Sequence, residues 1–367
     1  MRTVSEWYNS TFSSTAVFSH REDERIFKTR FKRTWFYIFL AVNVLMFVAS
    51  SLGYGANEYH YFILNLILVN LVAVIGLNLL VGFTGLLSLG HAAFMGVGAY
   101  TSALLIVEYG FPLVVSMIIA GLVAAMAGLV VGIPSLRIKG FYLMVATLAF
   151  QMVIDYGVIH WESLTRGIRG ISLPTPDFFG LALKEQKSYF VFLFAVTIVM
   201  MWGAKNLTRS KIGRAFVAIR DNDISAEIIG IPIFPYKLLS FSVSAFYAGV
   251  AGALFASLMR TAIPEDYHMT SSIMLLAMVL IGGLGRLTGS IFGVIFMTMI
   301  PVLLDNFFSY LSIVYDPNIT IILGPAKEFV YGGLIVLFII FEPEGMFAIW
   351  MRIRDYFRIW PLPYISE

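Results

Sequence analysis

No cysteine occurs among the 367 residues, which excludes a disulfide framework, a thiolate metal site and a cysteine nucleophile. Charge is scarce as well. Asp, Glu, Lys and Arg make up 13% of the chain against 59% hydrophobic residues, a balance that excludes an ordinary soluble protein of this length. Only five histidines are present, and they are scattered. With no HExxH, GxSxG or paired-histidine spacing, the sequence supports neither a metal centre nor a hydrolytic site. The segment Gly85 to Ala92 has the glycine spacing of a phosphate-binding loop but lacks the Lys and Ser/Thr that must follow to hold phosphate and magnesium. The chain is therefore expected to bind no ATP, no metal and no other cofactor, and to carry no catalytic residue. Its net charge of +3 comes from short loops and tails that form no broad patch, so no nucleic acid is expected.

What is present is a succession of apolar runs: 34–52, 60–81, 111–136, 141–154, 188–204, 238–259, 269–285, 287–304 and 329–341. A bilayer crossing needs about 20 helical residues, and most of these runs reach or approach that. With the glycine-rich 91–107 they predict an all-α polytopic membrane protein of about ten spans; eight or nine plus a re-entrant segment is the alternative. If the N-terminus is cytoplasmic and every span crosses, 19 of the 25 Lys/Arg fall inside. That bias predicts an N-in, C-in arrangement. The chain then divides into a cytoplasmic segment 1–33 with a lipid-facing basic edge, a membrane-spanning region 34–347 and a cytoplasmic tail 348–367.

Between Leu71 and Tyr100 glycines at 76, 82, 85, 90, 96 and 98 interrupt an apolar stretch. Each costs a helix roughly 1 kcal/mol relative to alanine, so close backbone packing or a broken helix along a solute route is expected. A second cluster at Gly282, Gly283 and Gly285, followed by Gly289 and Gly293, precedes another glycine-bearing helix. Two such clusters predict an internal two-fold repeat of about five spans each, with discontinuous segments meeting near the midplane. Gly82, Gly85, Gly90, Gly282, Gly283 and Gly285 are the candidate packing or hinge glycines.

Intramembrane polar residues are costly and mark candidate pathways. Asp155, Gln151 and Thr147 share one helix face, and Asn70 and Asn78 lie two turns apart on another helix. Two readings stand for Asn78 and Gln151: groups facing a translocation route, or hydrogen-bond partners between helices. His91, beside Ser88 at the start of a predicted helix, either contacts solute or bonds to backbone at the helix end. The candidate pathway set is Asn78, Ser88, His91, Thr147 and Gln151.

The longest loop expected inside, 205–236, contains IGRAFVAIRDNDISAEIIGI, which predicts one or two short amphipathic helices ending at Gly230. Two Arg against two Asp and one Glu suit anionic lipid poorly. The small residues Ala215, Ala218, Ser225 and Ala226 suit docking into a groove of another protein.

At these residues the sequence resembles a known family. NLLVGFTGLLSLGHAAFMGVGAYTSALL, YLMVATLAFQMVIDYGVIHWESLTRGIRGISLP, GRAFVAIRDNDISAEIIGIPIFPYKLLSFSVSAFYAGVAGALFA and MVLIGGLGRLTGSIFGVI are similar to the LivM-type permeases of ATP-binding-cassette importers for branched-chain amino acids. Matching blocks run from about residue 60 to 350. The resemblance implies a non-catalytic subunit in a bacterial inner membrane that forms half of a translocation pathway. It also implies three kinds of partner: a related second permease, two cytoplasmic ATP-binding subunits that hydrolyse ATP, and a periplasmic solute-binding protein. Arg214, Ala215, Arg220, Asp221, Ala226, Glu227 and Gly230 match the family's ATPase-docking loop, and residues 160–174 match an outward loop that meets the binding protein. The chain departs from the family at Gln151, near which an acidic residue is usual, and at Arg220-Asp221-Asn222-Asp223, where the acidic side chains are shorter. Similar permeases import urea or short amides, which leaves that solute class as an alternative. An ion-coupled secondary transporter is the rival from another class, with Asp155 as its only intramembrane carboxylate.

Overall fold

A computed structural model describes residues 58–136, 140–178, 181–314, 320–342 and 345–359. The segment 1–33, the first expected span 34–52, Arg137, Lys139 and the end of the tail lie outside the described residues. The chain divides into two units, of which residues 62–350 form the larger and hold the features that follow.

Helix α1, Glu58–Asn78, continues without interruption into a π-helical turn, Leu79–Phe83. An irregular stretch follows, and α2 begins only at His91 and runs to Val107. Then come α3 (Leu113–Ser135), α4 (Phe141–His160), the short α5 (Glu162–Thr165), α6 (Gln186–Arg209), α7 (Lys211–Asp221), α8 (Asp223–Ile228) and α9 (Ile233–Met259). Helices α10 (Met269–Gly282), α11 (Leu287–Val314), α12 (Thr320–Phe341) and α13 (Met346–Ile359) complete the series. Among the described residues six helices are long and apolar enough to cross a membrane. Large apolar side chains stand exposed along three of them, including Leu122, Val130, Tyr142, Val153, Val199 and Trp202. Such an outer surface suits hydrocarbon and would be unstable in water.

The core is built from small residues. A Cβ on Gly98 of α2 would overlap the backbone of Gly249 in α9, and one on Gly252 would overlap the Met95 carbonyl. On the other side of α9, Gly249 lies against Ala120, Gly121 and Ala124 of α3. Without side chains in between, three backbones approach closely and gain dispersion contact that larger residues would forbid. The turn between α10 and α11 follows the same logic, with Gly282 against Gly289 and Gly293 against Met278. Gly283 (φ 109°) and Gly285 (φ 70°) adopt the left-handed backbone that this reversal needs.

Two expected spans are shorter than a crossing. Helix α10 has 14 residues, about 21 Å at 1.5 Å per residue, and α2 has 17. Hydropathy runs on through 269–285, but the chain leaves the helix at Gly282 because the next residues form the glycine turn. At the end of the molecule opposite the α7–α8 loop, Ile171–Ser172 (β1) pairs antiparallel with Thr261–Ala262 (β4). Asp177–Phe178 (β2) pairs with Leu181–Ala182 (β3). The β1–β4 ladder ties the residues 160–174 to the exit of α9.

Candidate functional site

Irregular backbone at membrane depth survives only where protein satisfies its polar groups. The break between α1 and α2 obeys this. Gly85 N–H donates to the Val81 carbonyl and Leu86 N–H to the Leu80 carbonyl, at 3.2 and 3.1 Å. Thr84 Oγ1 donates to the Leu79 carbonyl. Leu89 N–H donates to Thr147 Oγ1 at 3.0 Å, and Gly90 N–H to Ser88 Oγ at 3.3 Å.

The first turn of α2 has free N–H groups by geometry, and two distant helices fill them. Ala92 N–H donates to Ser272 Oγ of α10 at 2.8 Å. Ala93 N–H donates to Gln151 Oε1 of α4 at 2.7 Å. His91 Nε2 donates to the Ala73 carbonyl of α1 at 2.9 Å, which fixes the tautomer of the ring. Ala73 lies ten residues before Phe83, so the start of α2 sits about 15 Å inside the loop end of α1, near half the thickness of a bilayer core. Ser88, His91, Thr147 and Gln151, all from the candidate pathway set, are thus gathered at one buried level, each bonded to its own chain. Asn78 lies apart from them.

Asn78 stands where the two glycine clusters meet. Its Nδ2 donates to Ser290 Oγ at 2.8 Å and to the Arg286 carbonyl at 3.2 Å, and its Oδ1 accepts from Gly285 N–H at 2.9 Å. A Cβ on Gly82 would land on Asn78 Oδ1 and Gly285 N, so only glycine fits. Arg220 at the end of α7 reaches the same point. Its Nη1 donates to the Gly82 carbonyl at 3.0 Å, while Nε and Nη2 hold Asp221 Oδ1 at 3.0 and 2.8 Å. A Cβ on Gly85 would stand 3.0 Å from the Arg220 side chain. A cavity of about 390 Å³ opens beside this junction, lined by Thr84, Leu136, Leu143, Arg220, Asp223 and Lys237 among others.

The loop is made of two helices, capped in sequence-legible fashion. Ser210 Oγ accepts from Ile212 N–H at the start of α7, and Asn222 Oδ1 accepts from Ser225 N–H at the start of α8. Lys237 Nζ lies 3.6 Å from Asp223 Oδ2 and pins α8 to α9. Two of the four small residues do not form the outer surface expected of them, whereas Ser225 is exposed and Ala218 half-buried. Ala215 and Ala226 are buried against the chain itself, because Ala215, Phe216 and Ile219 make the inward stripe of α7. Ile224, Ile228 and Ile229 stand out instead, with Glu227 and Gly230 exposed among them. Arg214 donates to the Arg209 carbonyl at 3.2 Å and remains on the surface.

Outside the spans, burial and the neighbouring Glu265 push the Asp266 carboxyl above its usual range. Ser272, Tyr267, Ser290 and Arg286 were not singled out by sequence. A serine one turn into an apolar helix was the available signal for Ser272 and Ser290.

Residues 59–339 match the family described as branched-chain amino acid transport system / permease component. The high-affinity branched-chain amino acid transport system permease protein LivM of Escherichia coli (strain K12) is 32% identical over 308 residues, 77% of this chain and 69% of that protein. The probable LivM of Methanocaldococcus jannaschii is 26% identical over 244 residues, covering 64% and 68%. The autoinducer 2 import system permease protein LsrC of Enterobacter sp. (strain 638) is 30% identical over 211 residues, covering 54% and 58%. No solved structure matches the chain.

Proposed function

The chain belongs to the branched-chain amino acid transport permease family, and from that premise we propose that it forms half of the route of an ATP-driven importer for branched-chain or other apolar amino acids. It is a multi-pass membrane protein and a non-catalytic permease subunit. In the proposed assembly it lies in a bacterial inner membrane with a related second permease. Two cytoplasmic ATP-binding subunits dock on the α7–α8 loop, and a solute-binding protein meets the opposite end near residues 160–174. About ten spans, an N-in and C-in arrangement and a two-fold repeat complete the reading.

One observation carries it: Arg220 fastens the loop to Gly82 in the π-helical turn that ends α1. The exposed cluster Ile224, Ile228 and Ile229 gives a partner an apolar grip with Glu227 beside it. A movement of that grip passes through Arg220 to the Gly82–Gly285 junction, where Asn78 ties α1 to the start of α11. The function of an importer needs such a connection from the fuel-consuming subunit to the route; a channel does not. Asn78, Ser88, His91, Thr147 and Gln151 shape the route by holding its broken helix, and affinity resides mainly in the binding protein.

Affinity purification of the chain from its native membranes, followed by mass spectrometry and an ATPase assay, tests this. Recovery of two ATP-binding subunits and a second permease is expected, with hydrolysis stimulated by a binding protein. Arg220→Ala is expected to retain the assembly and lose transport. Proton- or sodium-driven flux by the chain alone would overturn the reading.

A further inference from the structure

Helix α4 fully buries only a single stripe of its surface. Its buried residues are Leu143, Thr147 and Gln151, four apart, while Tyr142, Val145, Met152, Val153 and Tyr156 around them are exposed. Two of the three stripe residues are polar, so side-chain hydrogen bonds join apolar contacts such as Phe150 on Phe94 in holding this helix in place. Gln151 makes four of these bonds. Its Oε1 accepts from Ala93 N–H of α2 at 2.7 Å and from Ser272 Oγ of α10 at 3.1 Å. Its Nε2 donates to Asp155 Oδ1 at 2.8 Å and to the Tyr267 carbonyl at 2.7 Å. That is the full capacity of a carboxamide, two bonds accepted and two donated.

The partners also fix which way the group points. A backbone N–H can only face the oxygen, and a carbonyl and a carboxylate can only face the NH2. Neither a carboxylate nor an apolar group of the same length fits this set. Four elements therefore meet on one side chain: α4, the first turn of α2, the first turn of α10, and the Pro264–Tyr267 turn that precedes α10. The junction also reaches towards solvent through Asp155, whose Oδ2 lies 3.5 Å from His268 Nδ1.

We propose that Gln151 is the positioning residue of the transport route: it latches α4 to the start of the broken helix α2 and acts on solute only through that helix. The donors that a solute carboxylate would seek at Ala92 and Ala93 are already occupied by Ser272 and Gln151. The proposal rests on the permease reading above. It assigns α4 as an element whose attachment the transport cycle depends on, and Gln151 as the point of attachment.

The test uses the whole complex in proteoliposomes, with solute uptake and ATP hydrolysis read together from about pH 5 to 8. Gln151→Glu removes both donors and sets a second carboxylate against Asp155 and the Tyr267 carbonyl. The charged groups around it are Asp155 and, beyond it, His268 on the one side and Asp266 of the neighbouring turn on the other. Like charge favours the protonated form of the new carboxyl, and that form recovers one donor. Uptake is expected to fall about tenfold at pH 7.5, the effect of losing one good interaction in the rate-limiting state, and to recover towards acid. Combining Gln151→Glu with Asp155→Asn replaces the opposing carboxylate by an amide that donates to the new carboxylate, so uptake at pH 7.5 is expected to return in part, the Tyr267 carbonyl still lacking its donor. Gln151→Met keeps the shape without the bonds and is expected to hydrolyse ATP with little uptake.

Equal loss in Gln151→Glu and Gln151→Met, without pH dependence or rescue by Asp155→Asn, would overturn the latch. So would unchanged uptake in both. A changed preference among competing solutes at an unchanged rate would make Gln151 a solute contact and overturn it as well. Wild-type uptake that needs no ATP would sink the importer reading alone, and the pH profile of Gln151→Glu flux would still decide the latch.

Discussion

Replacing Asn78 with leucine keeps the branched shape of the side chain and removes three hydrogen bonds across the junction of the two glycine clusters. The bonds run to Ser290 Oγ, the Arg286 carbonyl and the Gly285 N–H, at 2.8, 3.2 and 2.9 Å. Asn78 and Ser290 are fully buried, so no water replaces the 2.8 Å bond. Gly285 is only half-buried, so its N–H regains part of its loss from solvent. A buried hydrogen bond contributes about 1 kcal/mol net, and bonds between membrane helices average nearer 0.6 kcal/mol. Three of them predict a loss of about 2–3 kcal/mol for Asn78→Leu, more than tenfold in the folding equilibrium. Reversible unfolding in mixed micelles reads this directly. Ser290→Ala alone is expected to cost less, and the double variant less than the sum, with a coupling of about 0.6–1 kcal/mol. Asn78→Leu within about 0.5 kcal/mol of the parent, a change typical of an uninvolved site, would refute the account of the junction.

Gly82→Ala places a methyl on Asn78 Oδ1 and the Gly285 amide; it is expected to match or exceed Asn78→Leu in lost stability, measured in the same unfolding assay. Gly98→Ala forces α2 off the Gly249 backbone, and a cost of about 1–3 kcal/mol is expected from overpacking, visible as a lowered melting temperature. The Asp266 carboxyl titrates above its unfolded value because burial and Glu265 oppose its charge. Ionisation therefore costs folded-state stability, a cost absent below the unfolded pKa and fully present above the folded one. Asp266→Asn is expected to melt higher than the parent at pH 7 and equal to it near pH 3; the reverse order would show that the charge is stabilised.

The periodic and terminal features were legible in the chain itself. The break after α1, the α2 start beside His91 and the loop helices ending before Gly230 follow from apolar runs, glycines and caps that act within a few residues, whereas the π turn that ends α1 did not show in the sequence. The residues that hold the break were legible only in part. Thr147 and Gln151 stood out as polar groups on one face, but what they hold did not. Gln151 meets Ala93 across 58 positions and Ser272 across 121, and Asn78 meets Ser290 across 212. Nothing local encodes such pairings. Composition misled at Ala215 and Ala226, where small residues signalled a docking face and the amphipathic stripe turned them inward. Run length misled at 269–285, where hydropathy continues past the point at which glycine geometry ends the helix.

Helix α1 links the two places where glycines interrupt the chain. His91 holds its Ala73 carbonyl at the level where α2 starts, and Arg220 holds its Gly82 carbonyl at the loop. These points are nine residues apart, about 13 Å along an α-helix. Between them lies the π-helical turn Leu79–Phe83, whose wider hydrogen-bond ring is the one irregular stretch of α1. A π turn carries an extra residue and interconverts with α-helix by a local shift in register, which is why such turns collect at functional sites. A pull on Arg220 thus meets a helix segment able to change length before it meets the rigid segment that His91 holds. Asn78 sits at the border of the two, bonded to the start of α11, so a shift of the π turn is felt by the second glycine cluster as well. If the α7–α8 loop is the docking loop, as proposed, the two clusters are expected to act as one joint, driven from the loop and read out at the buried start of α2.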